Sequence, residues 1–209
     1  DNFHNMPCEV QNIWYTGKKK GVRGMYKFCK TEQSVRRQRE LEQGLLAMME
    51  HHRFEEISVS DLCDRLNIPR KSFYRYFTSK DGALHALLDH TLLEFYDTGR
   101  IEGLRGGTPI GDLERFFTFW KDHKRLLDAV KYSSLGGMLV ERAVSLAKQE
   151  ELMPGYVKAW EENMKDVAMS FVVCGLMSMV IQWHKEGYQI PTEQMAKNAK
   201  TMLSRPLIP

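Results

Sequence analysis

The chain has 209 residues, 43% hydrophobic and 27% charged, enough for a sizeable core beneath an ordinary soluble surface. Its four cysteines, Cys8, Cys29, Cys63 and Cys174, lie far apart without paired spacing, which argues against a disulfide framework or a zinc ribbon and fits a reducing cytoplasm. The net charge of +3 is uneven: residues 1–80 hold fifteen Lys and Arg against ten Asp and Glu, whereas residues 81–209 hold fifteen against seventeen, so a polyanion partner is expected at the N-terminal end.

Residues 1–30 show no helical or strand period, carry Gly17, Gly21 and Gly24, and read as a loosely ordered basic extension without the apolar segment of a signal peptide. Between Gly17 and Arg39 nine basic residues face one acid, Glu32. Lys18, Lys19, Lys20 and Arg23 suit either nonspecific attraction to a polyanion or insertion of an arm into a minor groove. Thr31 to His52 turns helical, with Leu41, Leu45, Met48 and Met49 on one stripe. Ser58 is an N-cap for a second helix, with Asp61 three residues on, and Val59, Leu62 and Leu66 give that helix an apolar face. Asn67 suits a sharp turn, and Pro69 opens a short third helix ending near Phe77. Ser79 caps a fourth, marked by Leu84, Leu87, Leu88, Leu92 and Phe95 at helical spacing.

Five glycines and Pro109 between Gly99 and Gly111 read as a loop. Helical stretches follow at about 111–131, 134–151, 160–187 and 192–204. The longest nearly apolar run, Ala168 to Ile181, falls short of the roughly 20 residues of a membrane span. The expected fold is all-α: an extension over 1–30, a three-helix DNA-binding domain over 31–78 with its helix-turn-helix at about 58–77, and a larger helical domain over 79–209.

A reading head for the major groove needs a short helix braced by a second one, with apolar residues inside and polar or basic ones outside. Leu62, Leu66, Ile68, Phe73 and Phe77 form the expected inner set; Arg70, Lys71, Ser72, Tyr74, Arg75 and Tyr76 form the outer. The run Phe73-Tyr74-Arg75-Tyr76-Phe77, followed by Thr78-Ser79-Lys80-Asp81, resembles the TetR-type DNA-binding domain, and the likeness extends over about 36–90. It departs from that pattern at Asn67, where Gly is common, and at Pro69, where a small hydroxyl residue often stands.

The resemblance implies roles by position. Tyr74, Tyr76 and Lys80 would hold phosphates, Arg36 and Arg37 would touch the flanking backbone, and Arg70, Lys71 and Ser72 are the candidates for base edges, with Ser58 and Arg75 counted among the DNA-binding residues. It also implies an effector pocket and a homodimer in the helices that follow. Pocket candidates are Phe116, Phe117, Trp120, His123, Tyr132, Met138, Trp160, Cys174 and Met177. Dimer candidates are Met177, Val180, Ile181, Trp183, His184, Met195, Ala199 and Met202.

The resulting expectation is a cytoplasmic dimeric transcription regulator without a cofactor, a repressor released by a small, mostly apolar effector. The alternative is a helix-turn-helix coactivator that binds a protein. An enzyme is not expected: His85 and Asp89 are too few for a closed metal site, and Cys63 has no nearby charge that compels a thiolate.

Overall fold

The computed structural model describes residues 24–101, 109–149 and 161–204. These are helical, with no strand among the described residues, as the sequence pattern implies. The helices are α1 (Glu32–Met49), α2 (Val59–Arg65), α3 (Arg70–Tyr74), α4 (Lys80–Ile101), α5 (Pro109–Asp122), α6 (Lys124–Tyr132), α7 (Gly136–Ala147), α8 (Glu162–Lys185) and α9 (Thr192–Ser204), with a 3-10 turn over Phe54–Glu56 between α1 and α2. They form two compact units, one ending at Leu93 and the other starting at Glu94. The division lies later than Thr78–Ser79 because Leu84, Leu87, Leu88 and Leu92 of α4 are buried in the first unit's core.

In the first unit α1 starts on Thr31, whose hydroxyl accepts from the Ser34 amide. Leu41, Leu45 and Met49 on its inner face are buried, as are Leu62, Phe73 and Phe77 of the same unit. Each such side chain contributes about 1.5–3 kcal/mol by leaving water. Glu42 is also enclosed, between Arg39 (3.0 Å) and His90 (2.9 Å); burial pushes its carboxyl up to about 8 against the pull of Arg39.

Residues 25–30 are more ordered than the sequence suggested. Tyr26 forms an antiparallel bridge with Phe77, with the Lys27 amide donating to the Tyr76 carbonyl at 2.7 Å and the Thr78 amide to that of Met25 at 3.0 Å. The Tyr26 hydroxyl donates to the fully buried Asp89 at 2.6 Å, and Gln38 Nε2 donates to the Lys27 carbonyl at 3.2 Å. This strap has no alternating pattern because it pairs with a turn rather than with a strand.

In the second unit α9 packs on α5, and α8 packs on α7. The stretch expected as one helix over 111–131 is two, α5 and α6. His123 breaks it: its ring Nδ1–H and its own amide both donate to the Phe119 carbonyl, at 2.8 and 3.0 Å, and its ψ of 28° leaves the helical range.

Two glycines of the first unit separate rigid from yielding contacts. A Cβ at Gly82 would lie 2.1 Å from the Met25 carbonyl oxygen, whereas one at Gly44 would meet the tip of Leu66 at 2.8 Å. Gly82→Ala is expected to detach the strap at a cost of roughly 1–3 kcal/mol, and Gly44→Ala to cost less because Leu66 can turn aside. Urea titration checks the order; equal losses would show that the strap yields as easily as a leucine side chain.

Candidate nucleic-acid interface

The first unit presents a five-residue helix, α3, which could not persist alone. Its support begins at α2. The Ser58 hydroxyl accepts from the Asp61 amide at 3.1 Å, and the Asp61 carboxylate accepts from the Ser58 amide at 3.0 Å, a reciprocal capping box. Those bonds, with the Ser58 hydroxyl donating onto Asp61, hold its carboxyl below the usual range and make Ser58 a cap first.

The turn between α2 and α3 closes with the Asn67 amide on Asp64 O and the Ile68 amide on Cys63 O, at 3.1 and 2.9 Å. This is a Schellman ending, and Asn67 takes the left-handed conformation (φ 50°) that glycine usually supplies there. The substitution at this position therefore leaves the turn intact. Pro69 follows as the N-cap of α3, accepting from the Ser72 amide at 2.8 Å.

On α3 only Phe73 is fully enclosed, its ring 5.1 Å from that of Phe77. Arg70, Lys71, Tyr74 and Arg75 are exposed and Ser72 half-buried, so one basic, hydroxyl-bearing face turns to solvent. Arg70 reaches back to donate to the Ser60 hydroxyl. Tyr76 departs from the expected outward set: it is only 7% exposed, because the strap pairs with its backbone.

Lys80 departs further. Its ammonium donates to the carbonyls of Phe54 (2.5 Å), Ile57 (2.6 Å) and Glu55 (3.2 Å) and lies 4.4 Å over the Phe54 ring. An ammonium has three N–H donors, and here three carbonyls take them. In place of the expected phosphate contact, Lys80 ties the start of α4 to the turn before α2. Arg36 and Arg37 stand on the exposed side of α1 and share Glu40, at 3.3 and 2.8 Å; such surface pairs are weak and exchangeable. Cys63 is buried, and burial pushes its thiol above the usual cysteine range.

Comparison with known proteins agrees with this geometry. Residues 44–87 match the family described as bacterial regulatory proteins of the tetR family, and residues 111–205 match the family described as a transcriptional regulator C-terminal region. The chain is a TetR family transcriptional regulator. Among solved structures it is similar to the fatty acid degradation regulator FadR from Bacillus halodurans, at 15% identity and a TM-score of 0.57 over 86% of this chain and 98% of that one. It is similar also to the dihydroxyacetone kinase operon activator DhaS, at 13% identity and 0.54 over 81% and 94%. No curated protein matches the chain. The regulator is thus a DNA-binding, non-enzymatic protein with a helix-turn-helix domain followed by a larger helical one.

In the second unit of this TetR family regulator the pocket candidates separate. Phe116, Phe117, Trp120 and His123 join one aromatic cluster with Phe95, Phe119 and Trp183. His123 stacks on Phe119 at 4.0 Å; burial pulls its ring down, but Glu94 and the Phe119 carbonyl raise it on balance above the usual histidine range. Met177 is buried and Met138 half-buried. Tyr132 and Cys174 are exposed, while Trp160 lies outside the described residues.

Of the dimer candidates, Met177, Val180, Trp183, Met195 and Ala199 are all 5% exposed or less within the single chain, and His184 is buried with its ring on Asp128 at 2.7 Å. They lie on the inward faces of α8 and α9, and α8 carries apolar residues all round. Ile181 is half-buried, and Met202 is exposed. The exposed apolar side chains of α8 are Met164, Val167 and Phe171. Helix α8 is also long and apolar enough, by length and composition, to cross a membrane, which the run Ala168–Ile181 alone did not suggest.

Lys80→Met is expected to lower stability by roughly 1–3 kcal/mol, since it takes the ammonium from the Ile57 carbonyl and leaves the Phe54 carbonyl only the Ile57 amide at 3.3 Å. Denaturant midpoints check this. Unchanged stability together with weaker DNA binding would return Lys80 to the phosphate role.

Proposed function

We propose that this regulator is a cytoplasmic homodimeric repressor that binds operator DNA through α3 and is released by a small, mostly apolar effector. The observation that carries the reading is the exposed face of Arg70, Lys71, Tyr74 and Arg75 on a helix braced from behind by Phe73. Arg70 and Lys71, at the start of the helix, are the candidates for base edges, and Tyr74 and Arg75 for the backbone, with Arg36 and Arg37 flanking. That basic face favours DNA over the protein partner of a coactivator.

Two reading heads about one DNA turn apart require a dimer. The exposed apolar residues Met164, Val167 and Phe171 of α8 supply its interface in our reading, with Met202 and Leu203 of α9 as further exposed apolar surface. The aromatic cluster around Phe116, Trp120 and His123 supports the apolar effector. Ligand would favour a dimer whose heads no longer fit the operator, a shift between populations set by its differential affinity.

Selection from a random pool of duplexes is expected to return one symmetric site for the wild type. Lys71→Ala should relax the preference at one position by about 1–3 kcal/mol, whereas Tyr74→Phe should weaken binding evenly. A pool that stays random would defeat the operator reading. Val167→Glu with Phe171→Glu should turn a dimer into a monomer in sedimentation; a dimer that survives places the interface elsewhere.

A further inference from the structure

The strap over Met25–Thr31 does more than close the first unit. With the start of α1 and the end of the reading helix it walls an open groove of about 890 Å3. Five cations line this groove, Lys27, Lys30, Arg36, Arg37 and Arg75, against one acid, Glu40. Glu40 already serves both Arg36 and Arg37, which hold its carboxyl below the usual range. Lys27 and Lys30 are exposed, and no acid among the described residues forms an ion pair with Lys27.

The strap backbone is fixed, not tethered. Its bonds run to Tyr76 O, Thr78, Gln38 and the buried Asp89, so Lys27 sits on a frame registered to the residues that end the reading helix. A lysine on such a frame loses less freedom on meeting an anion than one on a loose tail. The N-terminal end of α1, where partial positive charge gathers, opens on the same groove at Thr31 and Ser34. The groove offers cations and hydroxyls, with Phe28 and Tyr76 as its aromatic members.

We propose that the strap is a second, sequence-independent clamp on the DNA, with Lys27 and Lys30 holding backbone phosphates beside the stretch that α3 reads. The clamp rests on the operator reading above and widens its footprint on the side of the strap. It matches the charge: a phosphate run beside α3 meets a lining of five cations and one acid there. Positioning contacts of this kind set register and salt dependence, whereas the bases under α3 set the sequence.

The test uses the full chain and a duplex selected from the random pool. Binding is titrated over salt for the wild type, Lys27→Ala/Lys30→Ala, and Lys200→Ala on α9 as a control, with ethylation interference to locate phosphates. The double variant is expected to lose about one to two units of the slope of log K against log salt, to keep the sequence preference, and to lose interference at phosphates flanking the half-site. The control should match the wild type. An unchanged slope in the double variant overturns the clamp while leaving the operator reading in place. A relaxed sequence preference also overturns it, because the strap would then read bases. A wild type that binds no duplex with salt dependence overturns both.

Discussion

The first unit depends on one burial: Phe73, enclosed to 0% exposure, is what holds a five-residue helix in place. So short a helix has too few internal hydrogen bonds to offset the order it imposes, so its geometry is borrowed from neighbours. Phe73 and Phe77 anchor it from inside, the Asn67 turn fixes how it leaves α2, and the strap fixes how it ends. The exposed face of Arg70, Lys71, Tyr74 and Arg75 is presented because the opposite side is fully committed to the core. Function at this surface is a consequence of packing behind it.

The same economy explains why some basic residues are engaged inside the protein. Lys80 stands where a phosphate contact was expected, yet the carbonyls of Phe54, Glu55 and Ile57 converge on its ammonium. Those carbonyls belong to the end of a 3-10 turn, where only that of Phe54 also accepts within the turn, from the Ile57 amide. Glu42 shows the reverse case, an acid drawn inside and pushed up to about 8 because Arg39 and His90 only partly replace water. Charge in the sequence marks a candidate; burial decides whether that charge reaches a partner.

Much of the reading head was legible from the residues, and the reasons are local. Ser58 with Asp61, Asn67 and Pro69 are short-range signals whose partners lie within five positions, and all three act as that chemistry requires. The all-helical fold followed from periodicity. What was not legible depends on distant partners. The strap has no period because Tyr26 answers to Asp89, 63 positions away. Tyr76 looked outward by spacing, but the strap covers it. The split at His123 hid within a continuous apolar pattern, since one ring bonding a carbonyl breaks a helix without changing that pattern. On α8, apolar on every side, spacing alone could not separate the core face of Met177, Val180 and Trp183 from the exposed face of Val167 and Phe171.

The central claim is that DNA meets the protein on α3 and the strap together, both held by the core around Phe73. Amide hydrogen exchange of the full chain, with and without a duplex selected from a random pool, tests it most directly. Slowed exchange is expected over residues 69–80 and 25–31 on adding the duplex, with α9 unchanged. Protection confined to the second unit, or none under conditions where the duplex is bound, would contradict it.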